Sequence, residues 1–204
     1  LKKAAFIIFL VLILDQSLKL WVKLNMTLGE EIPIVGSWFN LYFTENNGMA
    51  FGMQFGGEWG KLALSIFRIL AVIAIGIYLI IISRKKKHNG LIFSLSMIFA
   101  GAMGNIIDSA FYGLLFTQSS YHTLATFATE GQGYATFLHG RVVDMLYFPL
   151  IDMVQADVPS WVPSFVFGGD GHFIFFRPIF NLADSSITIG VFWLLLFERK
   201  KLSH

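Results

Sequence analysis

Cysteine is absent from all 204 residues. That absence excludes a thiol nucleophile, a disulfide framework, cysteine metal ligands and a cysteine-linked lipid on the chain itself. Charge is scarce as well: 14% of residues are charged and the formal net charge is +2, against roughly 25% charged in an ordinary soluble domain. No basic stretch lies outside the flanks of the apolar segments, so nucleic acid is not an expected partner. His122, His139 and His172 are scattered, with neither His-Glu-x-x-His nor another ligand spacing; no metal and no cofactor are expected. Ser185-Ser186 lacks a nucleophile elbow or a base at a recognisable spacing, which disfavours a serine hydrolase.

What the chain has in abundance is apolar surface. Hydrophobic residues make up 55%, with 22 Phe and 5 Trp, and the mean hydropathy is +0.66. One membrane domain spanning residues 1–204 is the natural reading. Four spans can be read, over about 4–24, 62–83, 91–111 and 179–197, each near the roughly 20 residues that cross a bilayer. Lys2-Lys3, Arg84 to Lys87 and Arg199 to Lys201 flank these spans, and the positive-inside rule then puts both termini in the cytoplasm. The first segment carries Asp15 and Lys19 and no small-x-small cleavage site follows it, so an uncleaved span is expected rather than a signal peptide. Residues 25–60 and 112–177 become the outer regions. The first alternates apolar and polar side chains through Trp38-Phe39-Asn40-Leu41-Tyr42-Phe43, which suggests a small outer sheet. The second contains Pro149, Pro159 and Pro163, which argue against one long helix, and reads as an extra extramembrane insertion.

Polar residues interrupt these apolar runs at informative places. Ionisable groups there are costly and usually mark function. Asp15 and Lys19, four apart, share a helix face; a structural ion pair or a functional one fits equally. Asn46-Asn47-Gly48 needs no more explanation than a tight turn, although Asn46 could instead offer an amide to a substrate backbone. Gly101 and Gly104 suit close helix packing, which accounts less well for Asn105 and Asp108 one turn on. Asn181 and Asp184 repeat the Asn-x-x-Asp arrangement; with a helix starting near Ile179, Asp184 would lie roughly 8 Å along it. Asp144 is embedded in the apolar Val142-Val143 and Met145-Leu146. Two carboxylates brought together would resist double ionisation, leaving one protonated while the other acts as base. Such a pair can activate water against a peptide carbonyl, but spacing alone does not show that they meet.

In chain order, Asp15-Gln16-x-x-Lys19, Asn46-x-Gly48-x-Ala50-Phe51, Gly104-Asn105-x-x-Asp108, Val142-Val143-Asp144 and Phe180-Asn181-x-Ala183-Asp184 together resemble the lipoprotein signal peptidase family, the bacterial signal peptidase II. The resemblance covers nearly the whole chain. It implies an α-helical protein of the bacterial inner membrane, with four transmembrane helices and a small outer β-sheet cradle. The implied activity is aspartyl endopeptidase cleavage of signal peptides from diacylglyceryl-modified prolipoproteins, immediately before the lipidated cysteine. Asp144 and Asp184 map to the family's catalytic pair. Asp15, Lys19, Asn46, Gly48, Asn105, Asp108 and Asn181 map to positions that bind substrate or shape the site. Membrane lipids and cyclic peptide antibiotics such as globomycin are the further implied partners.

Two features depart from the family pattern. Ser109 stands where the family commonly has arginine, and Arg68 or Arg141 is the candidate replacement cation. The stretches from Asp108 to Asp144 and from Asp144 to Asn181 are unusually long. Apart from the resemblance, a small transporter or proton-coupled channel and a non-catalytic lipid-binding scaffold are the competing readings of buried acids.

Overall fold

A computed structural model describes residues 1–47, 57–85, 88–129, 131–154, 157–159 and 171–199. Gly48, with Ala50 and Phe51 of the same motif, and the basic residues Lys86, Lys87, Lys200 and Lys201 lie outside the described residues.

Helix α1 runs over Lys2–Asn25 and α2 over Gly57–Arg84. Helix α3, Asn89–Ile107, continues through a π-turn at Asp108–Tyr112 into α4, the single turn Gly113–Leu115. Lys2–Asn25, Ser65–Arg84 and Asn89–Leu115 are long and apolar enough to cross a membrane. Large apolar side chains such as Phe6, Phe9, Phe67, Leu70, Ile73 and Phe197 point outward, as lipid-facing surfaces require.

The last helix, α5, covers Leu182–Trp193 and ends in a second π-turn, Leu194–Glu198. The expected start near Ile179 is corrected. Ile179–Phe180 forms strand β6, whose backbone groups pair with Tyr147 and Leu146, and Asn181 caps α5 by accepting the Asp184 N–H at 2.8 Å. Asp184 therefore lies in the first helical turn rather than the second.

Helix α3 packs against α1, α2 and α5, and its glycines make this possible. A Cβ on Gly101 would collide with the Ala183 carbonyl oxygen and come within 2.8 Å of Ile187 Cγ1. A Cβ on Gly104 would stand 2.7 Å from Asp15 Oδ2. Small residues thus bring α1, α3 and α5 close enough for their polar groups to meet.

Strands β1 (Glu31–Val35), β2 (Phe39–Asn46), β3 (Val142–Tyr147) and β6 form one antiparallel sheet in the order β1-β2-β3-β6. The sheet expected within residues 25–60 is therefore only half local, since β3 and β6 come from the second outer region. Asn46, expected in a tight turn, is instead the last residue of β2 and pairs with Val142. A separate hairpin joins β4 (Ile151–Val154) to β5 (His172–Phe175). Val22 of α1 and Met26 just after it, Phe43 of β2, Tyr112 and Phe116 after α3, and Val143 and Met145 of β3 make one apolar core. That core seals the sheet to the ends of α1 and α3, placing the end of the inner β2–β3 pair that carries Asn46 and Asp144 beside the first turn of α5.

Candidate active site

Buried charges accumulate where the three close-packed helices meet the sheet. The Lys19 ammonium, fully buried, lies 2.9 Å from Asp15 Oδ2 and 2.8 Å from Asp108 Oδ2. It also donates to Asn105 Oδ1 at 2.9 Å. A buried charge is tolerable only when paired and hydrogen-bonded, and here every acid has further donors. Gln16 Nε2 donates to Asp108 at 2.9 Å and to Asp15 at 3.1 Å, while the Ala183 N–H donates to Asp15 Oδ1 at 2.9 Å. The Val143 N–H reaches Asp108 Oδ2 at 3.4 Å. Asp15, Lys19 and Asp108 thereby tie α1 and α3 to the start of α5 and to β3.

The same network orients two other carboxylates. With its carbonyl oxygen held by Lys19, Asn105 turns its Nδ2 toward Asp184 Oδ1, 2.8 Å away. Asn181, fully buried, accepts the Asp184 N–H and donates from Nδ2 to Asp144 Oδ1 at 2.6 Å and to the Val143 carbonyl at 3.3 Å. Asn46 donates to the other Asp144 oxygen, Oδ2. One asparagine thus links Asp144 on β3 to the helix turn that bears Asp184. Burial pushes the Asp144 carboxyl up to about 7, reinforced by the nearby negative charge of Asp184 and opposed by the hydrogen bonds from Asn181 and Asn46. A carboxyl poised near neutrality beside a second carboxylate is the arrangement that acid–base chemistry needs.

Comparison with known proteins agrees with the family resemblance. The family model described as "Signal peptidase (SPase) II" matches residues 7–199. The chain belongs to the signal peptidase II family. The lipoprotein signal peptidase of Porphyromonas gingivalis is 48% identical over 96% of this chain and 82% of its own length. That of Amoebophilus asiaticus is 38% identical over 97% of this chain and 78% of its own. A solved bacterial membrane enzyme superposes with a TM-score of 0.60 at 25% identity, covering 97% of this chain and 95% of that one. A second superposes over the whole chain and 91% of its own, with a TM-score of 0.61 at 24% identity, and shows the shared fold. The chain is a multi-pass membrane protein with lipoprotein signal peptidase function.

Measured against this family's expected positions, Asp15, Lys19, Asn46, Asn105, Asp108, Asn181, Asp144 and Asp184 fall in one connected network, and Gly48 lies outside the described residues. Within it, Asp15, Asp108 and Asp144 are buried, and Asp184 is the half-buried carboxylate. Ser109, at the family's arginine position, is buried and donates to the Asn105 carbonyl at 3.0 Å. Of the two candidate cations, Arg68 interacts electrostatically with Asp184. Arg141 is turned elsewhere, 3.4 Å from Glu45 Oε2 and 5.6 Å from the Tyr134 ring centroid. Among the described residues, no three His, Asp or Glu side chains gather as a metal site would require.

A cavity of about 310 Å³ opens beside Asp184, lined by Phe176, Phe180, Ser185, Thr188 and Ile189. Phe176 has a positive φ of 66°, a strained conformation for a bulky residue, and its ring meets Phe180 edge-on at 5.9 Å. Sequence reasoning gave Phe176, Gln16 and Tyr112 no role of their own. Tyr112 donates to Gln16 Oε1 at 3.2 Å. A tyrosine within an apolar run carries no local signal that its hydroxyl caps an amide on another helix.

Proposed function

We propose that the chain is an aspartyl endopeptidase that cleaves diacylglyceryl-modified prolipoproteins immediately before the lipidated cysteine, with Asp144 and Asp184 as its catalytic pair. The observation that carries this reading is the bridge made by Asn181, which donates to Asp144 and caps the turn bearing Asp184. In the monoprotonated pair, the ionised carboxylate takes a proton from water as the water oxygen attacks the scissile carbonyl. The protonated partner hydrogen-bonds that carbonyl oxygen as it gains charge. Collapse of the tetrahedral intermediate breaks the C–N bond, and the proton taken from water passes to the leaving amine. Protons belong to the pair rather than to either residue.

Asn105, Asn46 and Asn181 would hold the carboxylates in place, and Lys19 with Asp15 and Asp108 would anchor the asparagines. The aromatic-lined cavity beside Asp184 suits an apolar segment of the substrate. Arg68 would supply the positive charge that Ser109 does not. In this reading α5 completes a fourth crossing of the bacterial inner membrane, both termini are cytoplasmic, and the sheet lies on the outer face. Each buried acyl CH₂ contributes about 0.8 kcal/mol, so the diacylglyceryl group would dominate recognition. Cyclic peptides of the globomycin type would compete for the same place.

The test is cleavage in lipid vesicles of a diacylglyceryl-modified prolipoprotein and its unlipidated counterpart, with Asp144→Asn and Asp184→Asn beside the unsubstituted protein. Cut lipidated substrate, spared unlipidated substrate and a loss of at least about 10² in both folded variants are expected. Normal turnover by either variant removes that residue from the chemistry, and equal use of both substrates removes the lipid from recognition.

A further inference from the structure

A second buried charge cluster lies beside the site, and the long insertion after α3 builds most of it. Lys23, one helical turn beyond Lys19, is fully buried and pairs with Glu45, itself 2% exposed. Ser119 of the insertion accepts from Lys23 Nζ at 2.8 Å and donates to Glu45 Oε1 at 2.9 Å. Arg141, at the end of the insertion, approaches Glu45 Oε2 at 3.4 Å. The insertion's Tyr134 lies under the Lys23 ammonium, 4.7 Å from Nζ to its ring centroid, and its hydroxyl accepts the Arg141 N–H at 2.8 Å. The Leu28 N–H donates to the Ser120 carbonyl at 2.8 Å, clasping the insertion to the chain leaving α1.

Glu45 is the residue before Asn46, and Asn46 donates to Asp144. In a strand, successive side chains point to opposite faces. Fixing Glu45 on one face therefore fixes the direction in which Asn46 projects on the other. This end of β2 leads into the chain preceding α2. The backbone pairs Thr44 with Asp144 and Asn46 with Val142, after a register shift between Leu41 and Thr44. Such a shift interrupts the ladder locally, and beyond it register depends on which side chains are held on the buried face.

We propose that the insertion is a buttress: Ser119 and Arg141, acting through Lys23 and Glu45, position Asn46 against Asp144. Arg141 then serves as a positioning residue and not as the cation that replaces the family arginine. The idea rests on Asp144 being catalytic only in its kinetic consequence; the mechanical coupling stands on contacts alone, and the two can be tested separately.

The experiment uses the full chain in lipid vesicles with diacylglyceryl-modified prolipoprotein as substrate. It compares the Ser119→Ala/Arg141→Met double variant, Asn46→Ala, and all three changes together. The double variant should lower kcat about threefold to tenfold with KM unchanged, and the triple variant should be no slower than Asn46→Ala alone, because coupled residues are non-additive. A structural defect unrelated to Asn46 would instead multiply with the Asn46→Ala loss. Wild-type kcat in the double variant, or multiplicative losses in the triple variant, overturns the proposal. Hydrogen exchange at residues 44–46 and 142–144 reads the coupling without any cleavage: faster exchange in the double variant is expected, and unchanged exchange overturns the buttress even if the protein proved not to be an aspartyl peptidase. Should the double variant fold poorly, the isosteric Glu45→Gln provides the same comparison.

Discussion

Asn181 offers a test in which stability and chemistry separate. It caps α5 through Oδ1 and donates through Nδ2 to Asp144 at 2.6 Å. Serine at this position can still cap the helix but presents no amide to Asp144, whereas alanine loses both roles. The Asn181→Ala protein should therefore be about 1 kcal/mol less stable than Asn181→Ser, measured by thermal denaturation in the same detergent. Both should change the pH dependence alike.

The sign follows from the ionised state. The Asn181 N–H favours the charged Asp144 carboxylate, so its loss lets Asp144 hold its proton to higher pH. Asp144 stands at about 7, raised by burial and by the charge of Asp184. A hydrogen bond to a charged group is worth about 1.5–3 kcal/mol, which at about 1.4 kcal/mol per pH unit moves the midpoint up by about one to two pH units. Activity that depends on a monoprotonated pair would then persist into more alkaline solution, although the plateau kcat falls because the carboxylate is less well oriented. Single-turnover cleavage of the lipidated substrate between pH 5 and pH 10, values chosen to span roughly the whole titration, gives the alkaline limb directly. An alkaline limb that stays in place or moves down in both variants would refute the role assigned to Asn181.

Other consequences are simpler to read. Arg68→Ala should reduce kcat, because the Arg68 charge acts electrostatically on Asp184, and thermal denaturation of the same variant separates this from a folding defect; an unaltered kcat would mean that the site works without a cation there. Gly101→Ala should destabilise the protein by about 1–3 kcal/mol through overpacking, since the added Cβ meets the Ala183 carbonyl and Ile187, and a rise in denaturation temperature would contradict that packing. EDTA should leave cleavage unaffected; inhibition reversed by one specific divalent ion would overturn an aspartyl mechanism.

Much of the architecture was legible along the chain because it is written in neighbouring residues. Apolar runs long enough to cross a bilayer, flanked by lysine and arginine, mark α1, α2 and α3, and no tertiary contact is needed to recognise them. Gly101 and Gly104 beside Asn105 and Asp108 announced a close, polar helix contact, and the five ordered motifs pointed to the family. The fold departs from a helix start at Ile179 for a physical reason: Ile179–Phe180 is as apolar as the helix after it, and only pairing with Leu146 and Tyr147 makes it a strand. Likewise, nothing near Asn46 tells that β2 pairs with β3 rather than turning back on itself. Nothing near Ser119 or Arg141 tells that they close over Lys23 and Glu45. Local sequence determined which segments are helices and which residues carry charge. The tertiary structure alone decided that one asparagine joins Asp144 to the turn bearing Asp184, because such a meeting depends on helix packing and strand register set by contacts distant along the chain.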